Sequence, residues 1–88
     1  MPRFTVVFSN IGTKLVALRD DGARYHVAYF GGGLPPVDGE LGGDPPALGV
    51  ALLSGSADKL FHVLYGQIDI SLQEAVDIVR PKRGATQA

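Results

Sequence analysis

The chain has 88 residues, 45% hydrophobic and 19% charged, with a net charge of -1 and no cysteine. That length leaves room for one domain, the apolar content excludes a disordered chain, and the missing cysteines exclude a disulfide framework, a thiolate nucleophile and a cysteine zinc site. Without a signal-peptide pattern, or an apolar run near the ~20 residues a bilayer requires, the expected setting is cytoplasmic, with no membrane partner.

In chain order, Arg3 to Ser9 places Phe4, Val6 and Phe8 on one side of an alternating segment, the pattern of a strand with one face buried. Asn10, Ile11 and Gly12 supply a turn. Lys14 to Arg19 and Ala23 to Phe30 then flank Asp20, Asp21 and Gly22, which reads as a β-hairpin. A two-residue turn would set Arg19 against Arg24, so a three-residue loop is preferred, with Gly22 supplying the left-handed residue of a G1 bulge. That register pairs Leu15 with Val27 and Ala17 with Tyr25 on the expected core side. Val16, His26, Leu18 and Arg24 fall on the other.

Residues 31–44 hold Gly31, Gly32, Gly33, Pro35, Pro36, Gly39, Gly42 and Gly43, and the segment is expected to be a long loop. Asp44 and Pro45 then make a helix start, predicting a short helix to about Leu53, with a buried strand over Val50 to Leu53 as the alternative. Ser56 is a second candidate cap. Ala57, Leu60, Phe61 and Leu64 lie on one helical stripe that ends at Gly66. Ile68 and Ile70 alternate with Gln67 and Asp69, which allows a short fourth strand. Ser71 and Glu74 form a capping box, predicting a last helix with Leu72, Ala75, Val76 and Val79 inward, ended by Pro81.

The expected fold class is therefore α+β: a three-stranded antiparallel β-meander packed by two or three short α-helices. Its parts are a meander over 1–30, a Gly/Pro-rich loop over 31–44, a helical part over 45–80 and a mobile tail over 81–88.

Catalysis finds little support. There is no Gly-x-Ser-x-Gly elbow, and the glycines at 31–33 are followed by neither a Gly-Lys-Ser/Thr nor a Gly-x-Gly-x-x-Gly pattern. Asp38, Glu40 and Asp44 offer oxygen ligands without calcium-loop spacing, and His26 and His62 sit far apart in sequence. No enzyme activity, cofactor or metal is expected.

Charge is uneven: +2 over residues 1–30, -6 over 31–79 and +3 over 80–88. An acidic middle disfavours nucleic acid as the partner of the whole domain, although a helix-turn-helix can be drawn from Ala57 to Arg80 and the basic end has Arg80, Lys82 and Arg83. The same acidity would suit a nucleic-acid mimic. The reading that fits best is a small non-catalytic protein-binding module, an adaptor or an inhibitor of the kind phages and mobile elements encode, that self-associates. Its candidate partner-binding residues are Tyr25, Tyr29, Phe30, Leu34, Asp38, Glu40, Asp44 and Tyr65, because tyrosines and loop residues are enriched at interfaces. A ligand or metal held under the Gly/Pro loop is the remaining alternative.

Overall fold

The computed structural model describes residues 2–55 and 59–80. It overturns the expected α+β class. Six antiparallel strands, β1 (Arg3–Asn10), β2 (Leu15–Asp20), β3 (Tyr25–Phe30), β4 (Glu40–Gly43), β5 (Gly49–Ser54) and β6 (Leu60–Ile70), close a barrel in the order β1-β2-β3-β6-β5-β4. The helix α1 (Leu72–Val79) packs outside it.

The first three strands do form a meander. What the sequence reading missed is that a second meander, β4 to β6, follows and closes against it. Glu40–Gly43, inside the expected loop, is the strand that does so, pairing Phe4 with Leu41 and Thr5 with Glu40. Strands β1 to β4 thus lie in the spatial order 4-1-2-3 of a Greek key, and residues 31–39 are its long connection. The connection is pinned where β1 bulges between Val6 and Phe8: Val6 N–H donates to the Gly39 carbonyl at 2.9 Å, and Asp38 N–H donates to the Val6 carbonyl at 2.7 Å. The bulge also reverses the strand's facing, so Phe4 and Val6 point into the barrel while Phe8 packs beneath α1.

The hairpin loop has three residues, as expected, but sits one residue later. Asp20 N–H donates to the Arg24 carbonyl, the left-handed residue is Ala23 (φ 62°), and Leu15 pairs with Tyr29 and Ala17 with Val27. The Asp20 carboxylate sets this register by accepting the N–H groups of Gly22 and Arg24 at 2.8 and 3.0 Å. Ala17 and Val27 on the expected core side are buried, but so are residues on the opposite side. Val16, Leu18, Ala28 and Phe30 line the barrel, and Ala17 and Val27 lie under α1.

Neither expected helix before Ser71 is present among the described residues. Gly49 has φ 110°, incompatible with a helix, and residues 49–54 pair with β6 through Gly49–Tyr65, Ala51–Val63 and Leu53–Phe61. From Leu60 onward the second expected helix is strand, and Ile68 and Ile70 belong to its far end. Residues 56–58, its expected cap included, and the tail 81–88 lie outside the described residues. The last helix is present with its capping box, Ser71 Oγ accepting Glu74 N–H and Glu74 Oε1 accepting Ser71 N–H; Ala75 and Val79 are inward as expected and Val76 is half-buried, but Leu72 is exposed. Its C-terminal end is tied to β1 by Asn10, whose buried Nδ2 donates to the Val79 carbonyl at 2.7 Å while Oδ1 accepts Gly12 N–H.

Candidate functional site

A helix is about 10–12 Å across, enough to cover two or three strands spaced at about 4.8 Å. Helix α1 lies over β1, β2 and β3, and reaches β6 only at Ile70 in the cluster beneath it, so the outer side of β5 and of β6 from Leu60 to Leu64 stands beyond it. In a water-facing position such strands should alternate polar residues outward. Here they do not. Phe61, Val63 and Tyr65 point inward on β6, yet Leu60 and Leu64 also stand on its outer side; Ala51 and Leu53 point inward on β5, with Val50 and Leu52 outside. Apolar residues on both faces are the mark of a strand covered on both sides.

Register brings these outward residues together. Leu15, Tyr29, Leu64 and Val50 are neighbours across β2, β3, β6 and β5, and the next row on β6 and β5 pairs His62 with Leu52. Leu15 anchors the row in the cluster under α1, and exposure rises from there. Val50 is 81% exposed, Leu60 59%, Leu64 49%, Tyr29 44% and Leu52 40%. None of the outward residues from 50 to 54 or 60 to 64 is charged. The Tyr29 ring lies against Gly31, where an added Cβ would sit 3.0 Å from its Cε2, so the glycine leaves the ring its room. Together the exposed fractions amount to between two and three whole side chains left in water, and burying them is worth about 4–8 kcal/mol.

A second cluster is polar and buried. His26, 1% exposed, has Nε2 2.9 Å from Asp20 Oδ2, and its Nδ1 lies 2.9 Å from the Asp69 backbone N–H. Since Nδ1 must accept from that N–H, the proton sits on Nε2 and is donated to Asp20. Burial pushes the Asp20 carboxyl upward, but the bonds from His26 and from the Arg24 and Gly22 N–H groups outweigh it and hold the carboxyl below its ordinary value. Both ring nitrogens are occupied, so this Asp-His pair is a latch between the β2–β3 hairpin and the end of β6 rather than a proton-transfer pair. Edge-on packing against Phe4 and Tyr65 encloses it. Burial, aided by the charges of Asp20 and Asp44, pushes the Tyr65 hydroxyl well above its ordinary value and keeps it neutral.

Under the Gly/Pro connection lies a cleft of about 170 Å³ bordered by Leu34, Pro35, Pro36, Leu41, Lys59 and Phe61. Ligand sites run to about 300–1,000 Å³, so this one is small for a cofactor.

The candidate partner-binding residues do not form one site. Tyr29 alone stands on the apolar outer face. Phe30 and Tyr65 are interior, Tyr25 is half-buried beside α1, and Leu34 packs on the barrel core at the cleft. Asp38 turns the chain with φ 71°, Glu40 lies 4.0 Å from Arg3 in an exposed pair, and the Asp44 carboxylate accepts Leu52 N–H at 3.1 Å. Among the described residues no three His, Asp or Glu side chains group closely enough to hold a metal ion. The two histidines face opposite sides of the barrel wall. No helix-turn-helix exists over the described part of 57–80, and no described helix is long and apolar enough to cross a membrane.

Sequence reasoning missed Val50, Leu52, Leu60 and Leu64. The signal is present as an apolar run, Val50 to Leu53, which the sequence allows as a helix or as the strand that forms, and as the pair Leu60 and Leu64 flanking His62, which matches a helical stripe. Comparison with family models, with curated proteins and with solved structures gives no significant match to this chain.

Proposed function

We propose that this protein is a non-catalytic protein-binding module that engages its partner through the outer face of β3, β6 and β5. The observation that carries the reading is the uncharged row Tyr29, Leu64 and Val50, with Leu52 and Leu60 beside it, exposed on strands whose inner faces are already buried. Soluble chains rarely leave so contiguous an apolar surface without using it. Its transfer free energy falls in the lower part of the ~4–15 kcal/mol cost of association, the remainder coming from the partner's own buried surface.

The test is site-specific photo-crosslinking. A photoreactive residue at position 62, in the middle of the face, yields a protein adduct in cell extract. The same residue at position 11, exposed on the β1–β2 turn, yields none. Absence of any adduct from position 62 refutes the reading.

A further inference from the structure

We infer that the occupant of this face is a second copy of the chain, seated about a two-fold axis. The inference rests on the reading above and adds the partner's identity. Three observations carry it.

The first is charge. A two-fold contact sets a surface against itself, so a face of one sign repels its own copy, whereas a partner chosen by charge calls for the opposite sign. Val50, Leu52, Ser54, Leu60, His62 and Leu64 include no Asp, Glu, Lys or Arg. Asp21, Arg24, Asp38 and Glu40 are exposed on turns and at the start of β4, and Glu74 and Asp77 on α1, while Asp44, bonded to Leu52 N–H, and Lys59, next to Leu60, border the face. Self-docking here sets no charged side chain of the face against its own copy and keeps the charges at its border, Asp44 and Lys59, of opposite sign.

The second is size. Three strands at about 4.8 Å spacing and five residues at about 3.4 Å each, with about 5 Å of side-chain reach around them, make a face of roughly 20 by 24 Å, on the order of 480 Å². A specific interface takes about a tenth of a small protein's surface, and a tenth of this chain's 5433 Å² is on the order of 540 Å². Two such faces bury on the order of 960 Å² together, below the ~1,200 Å² at which stable interfaces begin, which makes the contact a weak dimer that dissociates on dilution.

The third is shape. The face is a gently curved piece of antiparallel sheet, and two such sheets stack about 10 Å apart with interdigitated side chains, as in a β-sandwich. Stacking converts β5 and β6 into strands buried on both sides, which is what their two-faced apolar pattern specifies. Residues 56–58 and 81–88 contain no Leu, Ile, Val, Phe or Tyr and are no chemical match for the face.

The test is the solution mass of the purified chain by light scattering across a dilution series, paired with the position-62 crosslink. The expected result is twice the 9.3 kDa chain mass at high concentration, falling toward the single mass on dilution, with a crosslinked band of two chains. Leu64→Lys and Val50→Lys should each weaken dimerisation by at least about thirtyfold, and Ile11→Lys should leave it unchanged. Circular dichroism confirms that each variant folds, and Leu64→Ser replaces any that does not.

A monomer at every concentration whose position-62 probe captures a different protein overturns the second copy as occupant and leaves the protein-binding reading standing. A monomer with no adduct sinks both. A dimer that survives both lysine substitutions uses another surface and refutes the inference.

Discussion

Replacing Asn10 by alanine tests how the helix is held to the barrel. The side chain spans 69 positions of sequence to reach the Val79 carbonyl, in a buried bond of 2.7 Å, and its oxygen accepts Gly12 N–H at 2.9 Å. Alanine strands the Val79 carbonyl, the last of α1, in a buried site, at a cost of about 1–3 kcal/mol; losing the half-exposed Gly12 bond adds about 0.5–1.5 kcal/mol. The expected total is about 2–4 kcal/mol. Folded domains are stable by about 0.05–0.15 kcal/mol per residue, so 88 residues give about 4–13 kcal/mol, and the loss is a large share. Urea unfolding measures it: with a slope of about 1–2 kcal/mol/M, the midpoint should drop by more than about 1 M. Asn10→Asp keeps the acceptor for Gly12 but offers Val79 no donor, so at neutral pH it should lose at least as much. Ile11→Ala, one residue away and exposed, should change nothing. A cost below about 0.5 kcal/mol for Asn10→Ala would show that α1 is held by its apolar contacts alone.

Acid should destabilise the protein through Asp20. Its folded carboxyl is held below the unfolded value, so its contribution is fully present above the unfolded value, near pH 4, and is lost as pH falls through the lower folded value; Asp20→Asn should flatten melting temperature against pH in that window, and a parallel slope in the variant would refute it. At Gly43 (φ 152°) an added Cβ would run into the Leu52 carbonyl and lie 3.1 Å from Leu53 Cα, so Gly43→Ala should cost about 1–3 kcal/mol in a thermal melt. An unchanged melting temperature there would mean that β4 and β5 separate freely.

The parts of the fold that were legible in the sequence are those decided locally. Ser71 and Glu74 write their capping box within four residues, and the hairpin near Asp20 needs only its turn and two β-rich flanks. The second meander was legible only in part, as the alternative strand over Val50 to Leu53 and the short strand at Ile68 and Ile70, because its strands break the alternation by which strands are recognised. With Leu60 and Leu64 outside and Phe61 and Tyr65 inside, the apolar positions match a helical stripe as well as a strand. The same residues that hid β6 from sequence reasoning make up the candidate docking face, so fold and site were lost together. Glycine and proline density also misled: Gly42 and Gly43 marked a loop, but they pair with Ser54 and Leu53 of β5, and at Gly43 a side chain would not fit. Tyr65 and Phe30 were taken for interface residues on chemistry alone, because nothing local tells which side of a closed barrel a tyrosine faces.

The Greek-key connection also bears on how fast the molecule can assemble. Each meander needs only short turns between neighbouring strands and can collapse on the microsecond scale of a hairpin. Closing the barrel is different, since β1 must find β4 and β3 must find β6, pairings more than thirty residues apart. Non-local strand pairing of this kind puts folding in the range of milliseconds to seconds. Until it is complete, the inner faces of both meanders stand open beside an outer face that is already apolar, and the nine residues from Gly31 to Gly39 set how long that interval lasts.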